Sequence, residues 1–406
     1  MKEIVLLEIS GSDRPGLLSA FCEILNRHHI TILDIGQAAI HNNLILGMLV
    51  LIPTAAQSAP VIKDLLFKAY SLDLKLSFSP VSESDYDNWV KEQGKKRHII
   101  TLIGREITAE HLAKISALIV EAGMNIAIIT RLSGRVDLTA SQESQAGCRA
   151  CVELAVRGTP KDETWLRQEF LRISTELGVD IAYQEDNVFR RNRRLVVFDM
   201  DSTLIQTEVM DELARKAGVG ELVSQITASA MRGEIDFKES FRQRLALLRG
   251  LSAEKVAEVA EQLPIMEGAR RLITNLKCFG YKIAIVSGGF TYFGRKLQEE
   301  LGIDYLYANE LAIEDGVVTG RVQGTIVDGQ EKARLVRQIA EKEQISLQQV
   351  IAVGDGANDL PMLSIAGLGI AFHAKPVVKK GARQSISTLG LDSILYLIEV
   401  RDRDTL

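Results

Sequence analysis

Leu195-Val-Val-Phe-Asp-Met-Asp-Ser-Thr203 is the stretch on which the reading of this chain turns. The apolar run Leu195 to Phe198 reads as a buried parallel strand, and its end delivers Asp199 and Asp201 two residues apart. Side chains alternate along a strand, so carboxylates at i and i+2 share a face while the chain stays extended. Open α/β sheets gather their ligands at the carboxyl ends of strands. Two acids crowded there must share a proton or bind a cation. The competing reading is a plain strand-end turn rich in Asp and Ser.

Two further strands end in the same kind of chemistry. Lys282-Ile-Ala-Ile-Val-Ser-Gly-Gly289 closes on a hydroxyl and two glycines, which let backbone N–H groups approach an anion closely. Val350-Ile-Ala-Val-Gly-Asp-Gly-Ala-Asn-Asp359 closes on Asp355, Asn358 and Asp359. Lys332 sits near the start of a helical run from about Gln330 to Glu343. Taken singly, these are as well explained by ordinary turns and a solvated lysine. Jointly they supply the acids, hydroxyl, close-approach glycines and cation that a phosphoryl group and Mg2+ require.

This order of motifs resembles the haloacid dehalogenase superfamily, and within it the phosphoserine phosphatases, from Arg194 to roughly Leu397. The resemblance implies a doubly wound parallel-sheet α/β domain over residues 194–406, with a small helical cap at about 206–263. Asp199 is then the candidate nucleophile, forming an aspartyl-phosphate. Asp201 is the candidate general acid, protonating the leaving alkoxide and later deprotonating water. Relatives that keep a long-lived phosphoenzyme carry Thr at that second position, so the chain looks hydrolytic. Mg2+ prefers oxygen ligands and octahedral geometry. The resemblance assigns it to the carboxylates of Asp199 and Asp355 and the backbone carbonyl of Asp201. Ser287, the Gly288 N–H, Asn358 and Lys332 would hold the phosphoryl oxygens. Asp359 would orient Lys332 or a water on the metal, and Thr203 the strand-end loop; Ser202 reads as a turn residue.

The insert should carry specificity. Val209 to Gly218 is amphipathic and stops at a glycine, and Asp236 N-caps a second helical run reaching Gly250. Glu208 and Arg244 match the positions at which phosphoserine phosphatases hold a substrate ammonium and carboxylate. Met231 and Phe237 match apolar residues of the same pocket. The plainer alternatives are a helix-terminal acid favoured by the dipole and a solvated helix arginine.

The chain has 406 residues, 46% apolar and 25% charged, which suits a soluble protein of two or three domains. A net charge of −5 argues against a general nucleic-acid binder. The basic cluster Arg190-Arg-Asn-Arg-Arg194 reads as a solvated linker. Four scattered cysteines, two of them in Cys148-Arg-Ala-Cys151, are too few for a disulfide framework and read as buried or half-buried thiols. Acids at the start oppose a secretory signal, and no apolar run spans a membrane, so a cytoplasmic location is expected.

The first half differs. Ile4 to Ile9 reads as a strand, Asp13-Arg-Pro-Gly16 as a turn, Leu17 to His28 as a helix, and 30–35 and 38–51 as further strands. A similar plan recurs with strand His98 to Gly104, helix Thr108 to Ala122, and strands 124–132 and 151–157. The polar segment Ser82–Arg97 divides the two. Both units resemble ACT domains, at residues 1–85 and 96–184. The second carries Arg105-Glu-Ile-Thr108 where the first has Asp13-Arg-Pro-Gly16, so ligand binding there is in doubt. The resemblance implies serine as effector and a homodimer, against which stands a dimerisation-only role. The expected reaction is hydrolysis of O-phospho-L-serine in serine biosynthesis. Its rivals are a phosphatase for another phosphomonoester and an amino-acid sensor with a vestigial phosphatase half.

Overall fold

The computed structural model describes residues 2–135 and 148–406. The chain divides into two compact units, Met1–Lys95 and Lys96–Leu406. In the first, β1 (Glu3–Ser12), the helix Leu17–Arg27, β2 (Thr31–Ile40), β3 (Asn43–Ile52), the helix Ala55–Ser71 and β4 (Lys75–Val81) follow a βαββαβ order. The antiparallel sheet runs β2-β3-β1-β4. Alternate residues of β3, from Leu44 to Ile52, turn inward onto Phe21, Leu25, Val61 and Leu65.

Two local expectations change here. The run 38–51 is not one strand: a two-residue turn, His41-Asn42, separates β2 from β3, with Ile40 paired to Asn43. His41 takes a left-handed backbone, φ 56°. The turn is short, and the only polar break in the run is His41-Asn42-Asn43, so apolar periodicity on either side masks it. The polar divider 82–97 holds a helix, Glu83–Gln93, capped by the Ser82 side chain.

The second unit begins with another βαββαβ segment. It comprises β5 (Arg97–Gly104), the helix Ala109–Glu121, β6 (Asn125–Arg131), β7 (Ala150–Arg157), the helix Glu163–Leu177 and β8 (Asp180–Glu185). Its sheet order, β6-β7-β5-β8, repeats the first strand for strand. Thr108 caps its helix through a reciprocal bond with His111. The larger, parallel sheet comes next, with β9 (Leu195–Phe198), β10 (Lys282–Phe290), β11 (Tyr305–Asn309), the small hairpin β12 (Ile313–Glu314) and β13 (Val317–Val318), β14 (Val350–Gly354), β15 (Leu368–Phe372) and β16 (Gln384–Ile386). Six of these form a parallel sheet in the order β11-β10-β9-β14-β15-β16.

Every residue of β9 is fully buried, as a central parallel strand covered on both faces must be. Strand order reverses between β9 and β14, and the crevice beyond their carboxyl ends is where such sheets bind ligands. Five helices lie between β9 and β10 in sequence: Val209–Ala217, Gly220–Met231, Phe237–Leu247 and Ala253–Glu261 form the insert, and Ala269–Cys278 leads back into β10. The Asp236 side chain does cap the third, accepting from the Glu239 N–H at 2.8 Å.

The βαββαβ segment is bonded to the parallel sheet along β8 and β16. Gln384 accepts from the Tyr183 N–H at 2.9 Å and donates to its carbonyl at 2.5 Å. Asp180 accepts from the N–H groups of Ser387 and Thr388, both at 2.8 Å.

Arg190-Arg-Asn-Arg-Arg194 is only partly a solvated linker: Arg191 and Arg194 are exposed, but Arg190 and Arg193 are buried. Arg190 is 1% exposed and pairs with Glu153 and, at 3.2 Å, with Glu399. Arg193 is also buried and donates to the Gln348 carbonyl at 2.5 Å. A buried guanidinium needs acceptors around its fork. These come from distant segments, which a local charge pattern cannot reveal. Cys151 is buried and Cys148 half-buried, and among the described residues no disulfide forms. Among the described residues, no helix is long and apolar enough to cross a membrane.

Candidate active site

The first acid follows directly from strand geometry. Asp199 continues β9 by donating its N–H to the Val353 carbonyl of β14 at 2.9 Å, and its side chain is buried. Its Oδ1 accepts from the Met200 N–H at 2.8 Å and lies 2.9 Å from Lys332 Nζ. Lys332, fully buried in the first turn of the helix Gly329–Lys342, also reaches Asp359 Oδ1 at 2.6 Å. Desolvation opposes the ammonium charge, but Asp199 and Asp359 outweigh it and hold the lysine above its ordinary value.

Asp359 is committed on both oxygens, since its Oδ2 accepts from the Gly356 N–H at 2.9 Å. This turn is tight enough that a Cβ at Gly354 would lie 2.4 Å from Asp359 Cγ, so only glycine fits. Asp199, Asp355 and Asp359 place carboxylate oxygens within 4.8 Å of one another. Burial, then Asp199 and Asp359, push Asp355 up to about 8. Burial, then Asp199, push Asp359 up to about 6. Three acids against one buried cation leave the cluster short of positive charge. Oxygen donors of that kind suit a hard divalent ion. Thr203 Oγ1 lies 3.5 Å from Asp355 Oδ1, at the outer edge of hydrogen bonding.

Past Asp199 the chain reverses, with the N–H groups of Leu204 and Ile205 converging on the Met200 carbonyl. Asp201 accepts from the Val209 N–H at 3.2 Å. Burial, then Glu208 and Asp199, raise its carboxyl well above the usual range. A carboxyl that holds its proton more tightly than usual is suited to donate it to a leaving group.

From β10 comes a glycine arch. Pairing with β11 runs to Val286↔Tyr307 and resumes at Phe290↔Asn309, so Ser287-Gly288-Gly289 bulges from the ladder. Ser287 is fully buried, and its Oγ accepts from the Gly289 N–H at 2.9 Å. A Cβ at Gly289 would fall 2.6 Å from Asp201 Oδ2, so the missing side chain is what lets the arch approach the acid. Asn358 lies half-buried in the turn between Gly356 and Asp359.

The insert supplies the outer groups. Ser202, at φ 53°, donates to Glu208 at 2.7 Å. Glu208 is exposed along its length, yet desolvation at its carboxyl, with Asp199 and Asp211, raises its pKa. Arg244 is half-buried and donates to the Ser240 carbonyl at 3.3 Å. Burial lowers its pKa against the pull of Asp211, Glu208 and Asp201. Among the described residues no carboxylate lies within 4 Å of its guanidinium, whereas Arg242 pairs with Glu239 at 3.7 Å. Phe237 lies against Gly288, its Cζ 3.1 Å from where a Cβ would stand. Met231 is 68% exposed, with its Sδ 3.7 Å from Lys375 Nζ.

Direct contacts thus join Asp199, Lys332 and Asp359, with Asp355, Asp201 and Ser287 around them. Glu208 and Arg244 join the group through electrostatics. Sequence reading missed Asn309 behind the arch, and the Lys238–Asp328 ion pair of 2.9 Å between the insert and the N-cap of the Lys332 helix.

The haloacid dehalogenase-like hydrolase family matches residues 196–364, and the ACT domain family matches residues 3–79. A phosphoserine phosphatase of Streptomyces coelicolor is 41% identical over 407 residues, 99% of this chain and 95% of that one. A phosphoserine phosphatase of Mycobacterium tuberculosis is 37% identical over 402 residues, 98% of this chain and 94% of that one. The crystal structure of a probable phosphoserine phosphatase from Vibrio cholerae superposes with TM-score 0.58 at 32% identity, covering 76% of this chain and 88% of that one. A haloacid dehalogenase family hydrolase from Salmonella enterica gives TM-score 0.64 at 28% identity, covering 74% of this chain and 99% of that one.

Proposed function

Since the chain belongs to the phosphoserine phosphatases of the haloacid dehalogenase-like hydrolases, we propose that it hydrolyses O-phospho-L-serine to L-serine and phosphate through a phosphoaspartyl intermediate on Asp199. The observation that carries this reading is the Lys332 ammonium, bridging Asp199 and Asp359 at 2.9 and 2.6 Å inside a ring of acids at the strand ends. Both bonds to the Asp199 carboxylate fall on Oδ1, which leaves Oδ2 to attack phosphorus. As the phosphorus–serine oxygen bond breaks, Asp201 gives its proton to the departing alkoxide. It then takes a proton from the water that attacks the phosphoaspartate, releasing phosphate and restoring Asp199.

Ser287, the Gly288 N–H, Asn358 and Lys332 hold the phosphoryl oxygens, where positioning and charge neutralisation set the rate. The acid cluster fits Mg2+, held by Asp199, Asp355 and the Asp201 carbonyl, because Asp359 has both oxygens engaged. When bound, Mg2+ supplies the positive charge that draws phosphoryl oxygens into this acidic crevice. Glu208 receives the substrate ammonium and Arg244 the α-carboxylate, for which the absence of a carboxylate within 4 Å of its guanidinium among the described residues leaves it available.

The ACT domain at residues 3–79 supports a serine effector, with the free edge of β2 as the surface for a homodimer. Undisulfided cysteines suit a reducing, cytoplasmic setting in serine biosynthesis.

The test is phosphate release from phosphoserine and from its N-acetylated amide, with and without Mg2+. The free amino acid should be turned over and the blocked one should not. Equal turnover would point to another phosphomonoester, and no release from either would point to a vestigial site.

A further inference from the structure

Asn309 ends β11 with its side chain buried, 3% exposed, and the reading of the site so far gives it no task. Its Nδ2 donates to the Gly288 carbonyl at 2.8 Å, and its Oδ1 accepts from the Val327 N–H at 2.9 Å. These partners fix which end of the amide is nitrogen, since a carbonyl can only accept and an N–H can only donate.

The Gly288–Gly289 peptide is therefore held from both ends. Its C=O is taken by Asn309 and its N–H by Ser287 Oγ. A peptide is planar, so two bonds on opposite edges fix its rotation. The peptide needs such a hold, because the arch has left the β-ladder between Val286 and Phe290 and two glycines give it no stiffness of its own. A consequence follows at Ser287. A hydroxyl has one proton, and an oxygen that already accepts from Gly289 is oriented to donate that proton elsewhere. The second Asn309 bond reaches the residue before Asp328, whose side chain caps the helix that carries Lys332. One amide thus ties together the two chain segments that supply the Ser287 hydroxyl and the Lys332 ammonium.

We infer that Asn309 is a positioning residue for phosphoryl binding: it fixes the Gly288–Gly289 peptide, and through it the Ser287 hydroxyl, in register with the Lys332 helix. This rests on the proposed phosphoserine reaction. It deepens that reading by naming what holds the anion-binding arch in shape.

The test is Asn309→Asp, which keeps the shape and the acceptor but turns an oxygen toward the Gly288 carbonyl. Competitive inhibition by inorganic phosphate should weaken about tenfold or more, and kcat/KM for phosphoserine should fall by a similar factor. The competitive component of L-serine inhibition should stay within about twofold, because neither Glu208 nor Arg244 is bonded to the arch. A merely structural role would move both inhibition constants together. Either that result or an unchanged phosphate constant would overturn the inference. Asn309→Ser, too short to reach both partners, carries the same expectation if the aspartate variant does not fold. Wild-type protein inactive on phosphoserine would refute the function itself, whereas active wild type with a variant of normal phosphate affinity would refute only the role of Asn309.

Discussion

Gly289→Ala is the sharpest perturbation this site offers, because one methyl group presses on Asp201, the proposed proton donor, without touching its chemistry. The added Cβ would stand 2.6 Å from Asp201 Oδ2 and equally close to Met200 Cε, with Ser287 Oγ at 3.2 Å. Ordinary contact begins near 3.4 Å, so the Asp201 carboxyl must retreat by about 0.8 Å. Gly289 lies outside the positive-φ region, so alanine meets no backbone penalty and the effect is purely steric. A misplacement of about 1 Å at a reacting group costs on the order of 100-fold in rate, or about 2.7 kcal/mol of barrier. We expect kcat for phosphoserine to fall about 100-fold, with KM changed no more than a few-fold, since the groups assigned to the amino acid lie on the insert. Phosphate release at saturating substrate measures the first and a substrate titration the second. The double variant Gly289→Ala, Asp201→Asn should lose much less than the product of the two single losses, because the displaced asparagine has no acidic proton left to misplace. Multiplicative losses in that cycle, or a Gly289→Ala enzyme within threefold of wild type, would refute the idea that Asp201 must sit against the glycine arch.

Lys332→Met removes the buried cation between Asp199 and Asp359, so unfolding free energy in denaturant should drop by about 3–5 kcal/mol and turnover should be lost; unchanged stability would argue that the two acids do not depend on it. In metal-free protein, the raised Asp355 and Asp359 bind protons in the folded state that the unfolded chain has released. Their contribution therefore makes stability fall as pH rises from about 4 through 6 to about 8. Mg2+ binds the deprotonated cluster, so the rise in melting temperature on its addition, followed by calorimetry, should be larger at pH 8 than at pH 5; a rise independent of pH would contradict this. Lys238→Met breaks the 2.9 Å ion pair with Asp328, a solvent-exposed contact that salt screens. It should shift KM by up to about fivefold and weaken the dependence of KM on salt, and an identical salt profile in the variant would count against a latch between insert and core.

Local order along the chain made the catalytic sheet legible. Leu195 to Phe198, Ile283 to Val286 and Val350 to Val353 are apolar runs ending in acids, glycines or a hydroxyl, and parallel strands buried on both faces must look that way. The insert helices announced themselves by caps, with Asp236 at one start and Gly218 at one stop. Where the controlling contact was distant, the sequence was silent or misleading. Arg190 and Arg193 look like surface charge until Glu153, Glu399 and the Gln348 carbonyl are brought around them. The hairpin at His41-Asn42 is lost in an apolar run because two residues suffice to reverse a strand.

What the amino-acid order determined by itself was the inventory: which residue types stand at the ends of which strands, and hence that a phosphoryl group and a cation were in prospect. Only the folded chain decided their relations, that Lys332 lies between Asp199 and Asp359, that Gly289 rests on Asp201, and that Asn309 grips the arch. The reason is one of range. Strand alternation and helix capping act over a few residues and can be read along the chain, whereas a shared proton, a buried ion pair or a steric gap depends on distances between groups that only packing brings together.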